Sequence, residues 1–462
     1  MQTAFLPFPS YPCWCVIVST CLLTRTSEIC VCAKVEELCG QTLKLLKFVR
    51  MGKVDFFVVE FYGGKRTFYP GEAINGTLRL KVNKELKLRG IRLEFHGKAS
   101  IHWSESTGSG KNRRTRHYSN SETYIDTLAT LFGKAPGQSG DDPVLQPGDY
   151  SYPFQFLIPN QNMPTSVEGS HGYVRYWLKG IIDRPWRFDI TTTAVFTMLE
   201  YVDINTFPLL QPCQMSEDRN VGCLCCKSGP LSVTVYTDRG GYCPGESIGV
   251  SAVINNHSNN EILGLEIHLI QVTVYIASGG KQKHCEDKVA AMLQGGVKPH
   301  EETHMPMVAF PIPSLPPSML SCRCMRMSYV LRLKVRVKGA FNSNLNIPIT
   351  IGSVPYRPPM QPQYPQPAAG NFAGPSPPLA GFSEPSGYSA ASPQIGDGTQ
   401  PYPNYAPPSY AECVRGGASI TNEGDSGKAL GDSTFTPMYP FVNNYQFPSA
   451  PPAPFPQDSK RQ

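Results

Sequence analysis

The stretch Phe68-Tyr69-Pro70-Gly71-Glu72-Ala73-Ile74 decides how the rest of the chain is interpreted, because it occurs twice. It returns 174 residues later as Tyr242-Cys243-Pro244-Gly245-Glu246-Ser247-Ile248. The same offset aligns Gly90-Ile91-Arg92-Leu93 with Gly264-Leu265-Glu266-Ile267 without a gap. Proline sets φ and glycine permits a positive φ, so each Pro-Gly-Glu predicts a turn between two strands. The chain is therefore predicted to contain two copies of one domain.

The clearest strand pattern lies in the second copy, from Tyr329 to Lys338. Apolar and basic residues alternate there, with Leu331, Leu333, Val335 and Val337 on one face and Arg332, Lys334, Arg336 and Lys338 on the other. A period of two predicts a half-buried strand of an antiparallel sheet, whose basic face is exposed to solvent. Long amphipathic helices are not evident, so we predict an all-β fold of two immunoglobulin-like β-sandwiches.

The composition agrees with this fold class. Of 462 residues only 17% are charged, whereas Gly and Pro number 41 and 44. This balance is typical of β-rich domains followed by a low-complexity segment. The net charge of +6 is too small to indicate a nucleic-acid partner. The cysteines number fifteen, an odd count, and their spacing is irregular, so we expect reduced thiols and a cytoplasmic location.

Domain boundaries follow from the repeat and from shifts in composition. Met51-Gly52-Lys53 is followed at once by a strand pattern, so the first sandwich is predicted to begin there. Of the 44 prolines we count 21 from Pro358 onward, where apolar periodicity ends and disorder is predicted. The predicted parts are an atypical N-terminal extension (1–50), the first sandwich (51–205), a Cys-containing interdomain linker (206–227), the second sandwich (228–355) and a disordered proline-rich tail (356–462). Whether residues 1–50 belong to the working protein stays open.

The tail carries two short peptide motifs. Pro407-Pro408-Ser409-Tyr410 has the PPxY pattern bound by WW domains. The two prolines pre-form an extended helix that loses little entropy on docking, and Tyr410 enters a neighbouring pocket. Pro448-Ser449-Ala450-Pro451 resembles the PSAP-type late motif and is a candidate site for ESCRT-I.

The sequence offers little for catalysis or for metal binding. It lacks a Walker loop, a nucleophile elbow and a zincin helix, so no catalytic residue and no cofactor are predicted. The cluster Cys223, Cys225 and Cys226 contains one Cys-x-x-Cys, and only Cys322-Arg323-Cys324 follows far along the chain. Because four-cysteine zinc sites normally have two Cys-x-x-Cys pairs, no metal site is predicted. S-palmitoylation of Cys223, Cys225 and Cys226 is a candidate modification, with ordinary reduced thiols as the alternative.

One long segment resembles a known family. Val167-Glu168-Gly169-Ser170-His171-Gly172-Tyr173-Val174-Arg175-Tyr176-Trp177, followed by Arg184-Pro185-Trp186, is similar to the signature of the arrestin domain-containing proteins, the α-arrestins. Further similarity lies in the paired Pro-Gly-Glu turns, Asp203-Ile204-Asn205-Thr206, Ser228-Gly229-Pro230 and Pro348-Ile349-Thr350-Ile351-Gly352. The resemblance implies two arrestin domains and a cytosolic adaptor rather than an enzyme.

The resemblance also implies partners. The two domains are expected to recognise cytosolic regions of membrane receptors or transporters. The tail is expected to bring a HECT-type E3 ubiquitin ligase through Pro407, Pro408 and Tyr410. Cargo ubiquitination, endocytosis and endosomal protein transport would follow, with the protein peripheral at the plasma membrane and endosomes. Family members often carry two or more PPxY motifs, whereas this sequence has one.

Several residues carry individual expectations. Trp177 and Trp186 are predicted to pack in the core or at its edge. Arg175 is a candidate for a central ion pair, by similarity to visual and β-arrestins. The basic segment from Lys111 to His117 is predicted to be a long loop that projects from the first sandwich.

Two other functional classes remain open at this point. One is a ligase-independent sorting scaffold of the type of the retromer's arrestin-fold subunit. The other is a membrane-tethered metal or redox protein built on the cysteine clusters.

Overall fold

The computed structural model describes residues 52–223, 226–357, 409–414, 416–420 and 430–442, although the side chains of Lys111 and of residues 222–227 are not described. The predicted N-terminal extension and the motif Pro448-Ser449-Ala450-Pro451 lie outside these residues.

Two main sheets packed around one core form the first domain, and β4 and β7 pair in a separate two-stranded sheet. Its strands are β1 (Val54–Phe61), β2 (Thr67–Phe68), β3 (Ala73–Val82), β4 (Leu86–Lys87), β5 (Gly90–Thr107), β6 (Arg114–Gly133), β7 (Val144–Leu145), β8 (Gly148–Leu157), β9 (Val167–Gly169), β10 (Gly172–Asp183) and β11 (Ile190–Met198). One sheet has the order β1-β3-β8 and the other β2-β11-β10-β5-β6, with β9 paired to β10.

The second domain repeats this plan. Its elements are the short helix α1 (Phe207–Leu210) and the strands β12 (Cys213–Cys223), β13 (Cys226–Thr237), β14 (Gly241–Tyr242), β15 (Ser247–Asn256), β16 (Ile262–Ile276), β17 (Gln282–Gln294), β18 (Glu301–Pro311), β19 (Met325–Val337) and β20 (Ser343–Ile351). The sheets have the orders β12-β13-β15-β18 and β14-β20-β19-β16-β17. In both domains the short strand before Pro-Gly-Glu pairs in parallel with the last strand, β2 with β11 and β14 with β20. The predicted all-β fold of two related sandwiches is confirmed.

The strand β19 shows why the sequence folds this way. Leu331, Leu333, Val335 and Val337 are buried in the core. The opposite face is not simply solvated, because Arg332 and Lys334 form ion pairs with Glu286 on β17 and Glu266 on β16. The alternating pattern therefore buries one face and links neighbouring strands on the other.

The two Pro-Gly-Glu turns have the same internal architecture. Gly71 and Gly245 adopt φ angles of 86° and 88°, which only glycine takes without strain. Glu72 Oε2 accepts a hydrogen bond from Tyr69 N at 3.0 Å and lies 2.9 Å from Lys65 Nζ. One repeat later, Glu246 Oε2 accepts from Cys243 N at 2.9 Å and lies 3.2 Å from Arg239 Nη2. The repeat thus preserves a carboxylate that bonds to the turn and to a preceding cation.

Three predictions made from the sequence differ from the structure. Trp186 is 99% exposed and lies outside the core, because it occupies the turn between β10 and β11 with a φ of 57°. The basic segment from Lys111 to His117 is not a long loop, since Arg114 to His117 belong to β6 and pair with β5 as far as Thr107. The predicted interdomain linker, 206–227, contains α1 and β12, and β12 is the edge strand of a second-domain sheet.

Two other predictions have clear outcomes. Trp177 is partly buried and stacks on His96, with 5.1 Å between the ring centroids. Arg175 does form an ion pair, with Nε and Nη2 at 2.5 and 2.8 Å from the two carboxylate oxygens of Glu168. Burial raises the pKa of Glu168, and Arg175 opposes that rise. The pair joins β9 to β10 within the first domain.

Candidate functional site

The tail contributes strands that pack against both domains. They are β21 (Ser409–Glu412), β22 (Ala418–Ser419), β23 (Leu430–Gly431), β24 (Thr434–Phe435) and β25 (Met438–Phe441). β21 pairs with β25, and β22 pairs with β24, each in antiparallel register. We call residues 409–414, 416–420 and 430–442 the tail clasp. These segments lie within the proline-rich tail, and they pack on surfaces that the two domains supply.

The tail clasp continues a sheet of the first domain. β23 pairs in parallel with β11, placing Gly431 opposite Thr193. The next residue, Asp432, accepts a hydrogen bond from Val195 N at 2.9 Å. It also forms an ion pair with Arg66, whose Nη1 lies 2.8 Å from Asp432 Oδ2. Ile420 and Phe435 are buried against Val195. These contacts cover an edge of the first sandwich where backbone N–H and C=O groups would otherwise be exposed.

The same clasp also contacts the second domain. Val414 N donates to Ser314 O at 3.1 Å, and Ser314 Oγ donates to Ala411 O at 3.0 Å. Val442 N donates at 2.9 Å to the carbonyl of Pro244, inside the second Pro-Gly-Glu turn. A short tail segment therefore bridges the two domains.

Tyr410, the aromatic residue of the PPxY motif, lies inside the clasp. It packs beside the buried side chains of Tyr69, Leu199 and Tyr439. Burial raises the pKa of Tyr410, and a side-chain hydrogen bond with Tyr69 opposes that rise. Tyr439, which is 1% exposed, donates from its hydroxyl to Ser166 O at 2.9 Å and fixes this small cluster to the first domain.

The other predicted site residues are only partly covered by the structure. Ser409 is exposed and pairs with Phe441. Pro407 and Pro408 lie outside the described residues, so the arrangement of the complete motif does too. Cys223 pairs with Cys226 at the end of the β12–β13 hairpin, while Cys225 lies outside the described residues.

One cluster of metal-ligating groups joins Cys322 and Cys324 to a residue that the sequence did not indicate, Glu122. Glu122, Cys322 and Cys324 offer a carboxylate oxygen and two sulfurs within 4.8 Å of one another. The carboxylate comes from the first domain and the thiols from the second, separated by 200 residues from Glu122 to Cys322. The Cys-x-Cys spacing of Cys322 and Cys324 is visible in the sequence, but nothing in the sequence connects Glu122 with them. Among the described residues no helix has the length and the apolar character needed to cross a bilayer.

Both domains are similar to known protein families. The family model of the arrestin (or S-antigen) N-terminal domain covers residues 57–205, and that of the C-terminal domain covers residues 227–356. Arrestin domain-containing protein 4 of Mus musculus is 31% identical over 294 residues, which is 63% of this chain and 70% of that protein. Arrestin domain-containing protein 17 of Caenorhabditis elegans is 30% identical, covering 66% of this chain and 72% of that protein. Thioredoxin-interacting protein of Homo sapiens is 27% identical, with coverage of 66% and 76%.

Proposed function

The chain belongs to the arrestin domain-containing proteins, the α-arrestins, and from that premise we propose that it is an adaptor between membrane cargo and a ubiquitin ligase. The two sandwiches bind cytosolic regions of a membrane receptor or transporter. The tail binds a WW domain of a HECT-type E3 ligase through Pro407, Pro408 and Tyr410. The observation that carries the proposal is a PPxY tail joined to two arrestin domains.

The chemistry of transfer belongs to the ligase. The adaptor contributes by holding ligase and cargo together, which converts an encounter between separate molecules into one within a complex. A single PPxY motif docks one WW domain, for which micromolar binding corresponds to about −7 to −8 kcal/mol. Because a second motif is missing, the chain does not gain the avidity of paired motifs.

WW binding and the tail clasp compete for Tyr410. In the structure its backbone is paired with β25 and its ring contacts Tyr69 and Leu199. A WW domain needs the same ring in its own pocket and the chain in a polyproline conformation. We therefore propose that β21 must leave the clasp before the ligase binds.

The proposed site of action is the cytoplasmic face of the plasma membrane and of endosomes. Trp186 and Phe188 are 99% and 79% exposed, beside Arg184 and Arg187. Exposed aromatic and basic side chains on one turn suit an anionic membrane surface. Imaging of the full chain in cells tests this placement, and a uniform distribution that cargo does not alter would contradict it.

ESCRT-I binding through Pro448-Ser449-Ala450-Pro451 is an additional proposal, and equal ESCRT-I capture after Pro451→Ala would dismiss it.

A reconstituted ubiquitination reaction tests the adaptor proposal without knowledge of the cargo. The full chain is incubated with ubiquitin, its activating and conjugating enzymes and a WW-containing HECT ligase. Because docking brings lysines of the chain to the ligase, we expect ubiquitin to be attached to the wild-type chain. Tyr410→Ala should lower that rate at least about tenfold, the effect of losing about 1.4 kcal/mol of docking energy.

The matched control is Tyr402→Ala, which removes a proline-flanked tyrosine of the same tail outside the PPxY motif. It should be modified at the wild-type rate. Equal rates for wild type and Tyr410→Ala would contradict the proposed recruitment.

A further inference from the structure

A carboxylate and two thiols meet where the two arrestin domains touch. Glu122 lies on β6 of the first domain, and Cys322-Arg323-Cys324 immediately precedes β19 of the second. Hydrogen bonds link both segments to the end of β16. Asn120 Nδ2 of β6 donates to Ile276 O at 3.0 Å, and Ile276 N donates to Cys324 O at 2.9 Å. The cluster is thus part of the contact between the domains.

The donor atoms have the spacing of a tetrahedral zinc site. The two sulfurs are 3.5 Å apart, and Cys322 Sγ lies 3.6 Å from Glu122 Oε2. Zinc–sulfur bonds of about 2.3 Å and zinc–oxygen bonds of about 2.1 Å would place two sulfurs about 3.8 Å apart and sulfur and oxygen about 3.6 Å apart. A sulfur separation of 3.5 Å is far too long for a disulfide bond, so both thiols are free to bind a metal.

The surroundings of the cluster orient it. Both cysteines are 0% exposed, and the Glu122 side chain is 18% exposed. Glu122 Oε2 accepts hydrogen bonds from Arg323 N at 2.9 Å and from the Tyr124 hydroxyl at 2.5 Å. Arg323 Nε lies 3.5 Å from Glu122 Oε1 and offsets part of the negative charge of two thiolates and a carboxylate. Such outer contacts fix the direction in which a ligand points.

We propose that Glu122, Cys322 and Cys324 bind one zinc ion that ties the first domain to the second. The three donors leave one position of a tetrahedral ion for a water molecule or another ligand. Because the ligands come from both domains, the ion holds the β5–β6 hairpin against the segment before β19. This property does not depend on the proposed recruitment of a ligase.

Metal analysis of the full chain tests the proposal. The protein is purified without chelators, and zinc per chain is measured by mass spectrometry for wild type, the double variant Cys322→Ser/Cys324→Ser and the control Cys285→Ser. Cys285 is a partly buried free cysteine of β17 outside the cluster. Wild type and control should hold one more zinc per chain than the double variant. Equal zinc contents in wild type and the double variant would overturn the proposal.

A second variant covers the case in which the double variant fails to fold. Glu122→Gln retains both thiols, and competition with a chromogenic chelator should show zinc affinity at least about tenfold lower than in wild type. Cobalt added to the metal-free wild-type chain should give a thiolate charge-transfer absorption, which Cys285→Ser retains. Absence of that absorption in the wild type, or unchanged affinity in Glu122→Gln, would also refute the site.

Discussion

Glu246→Ala is expected to lower the free energy of unfolding of the second domain by about 3 kcal/mol. The Glu246 and Arg239 side chains are 1% and 6% exposed, so the substitution leaves a buried guanidinium without its nearest carboxylate. It also removes the acceptor of Cys243 N. Breaking a buried pair typically costs about 3–5 kcal/mol, and Asp238, 3.6 Å from Arg239 Nε, holds the loss to the lower end.

The repeat supplies the control for this prediction. Glu72→Ala removes the corresponding carboxylate of the first domain, but its partner Lys65 is 51% exposed and remains hydrated. That change should lower the free energy of unfolding of the first domain by about 1 kcal/mol, which is the typical contribution of one hydrogen bond and a solvent-exposed ion pair. Because a chain of several domains need not unfold in one step, native-state hydrogen exchange of β3 and β15 is the suitable measurement. Equal losses in the two domains would contradict the stated role of burial.

Opening the tail clasp is expected to strengthen WW-domain binding by the full chain. A motif that is accessible in only a fraction of molecules binds with an affinity reduced by that fraction. We therefore expect the full chain to bind a WW domain at least about tenfold more weakly than the separate tail peptide 357–462. The double variant Gly431→Ala/Asp432→Ala should recover most of that difference in the full chain.

The structure explains the choice of these two positions. Gly431 has a φ of 95°, and a Cβ atom there would collide with the carbonyl oxygen of Thr193. Asp432 supplies both the ion pair to Arg66 and the acceptor for Val195 N. Gly416→Ala is the control, because Gly416 also has a positive φ, 77°, but a Cβ atom there meets nothing within 4 Å. If the full chain and the tail peptide bind equally well, the clasp does not restrict Tyr410.

The duplicated fold could be predicted from the sequence because its determinants are local. Alternation along β19 and the Pro-Gly-Glu turns depend on neighbouring residues, so a period of two and a recurring motif are sufficient to predict them. Arg239 and Lys65 also keep the offset of 174, although their different burial appears only in the folded protein.

The tail clasp and the cluster of Glu122, Cys322 and Cys324 could not be predicted in the same way. Asp432 contacts Arg66 across 366 residues, and Cys322 contacts Glu122 across 200. Proline-rich composition predicts disorder for the tail as a whole. It carries no signal for the burial of Phe435 and Tyr439, because their partners Val195 and Tyr69 lie far away in the sequence. The prediction that Trp186 packs in the core or at its edge is wrong for a different reason. Large aromatic residues are usually buried, but this indole lies on a turn between two strands.

Tyr410 is proposed to make the tail a WW-domain ligand, and calorimetric titration of a WW domain into the tail peptide 357–462 tests this proposal most directly. Three peptides are compared: wild type, Tyr410→Ala and Tyr402→Ala. We expect micromolar binding by wild type and Tyr402→Ala and no measurable binding by Tyr410→Ala. Absence of binding by the wild-type peptide, or undiminished binding by Tyr410→Ala, would contradict it.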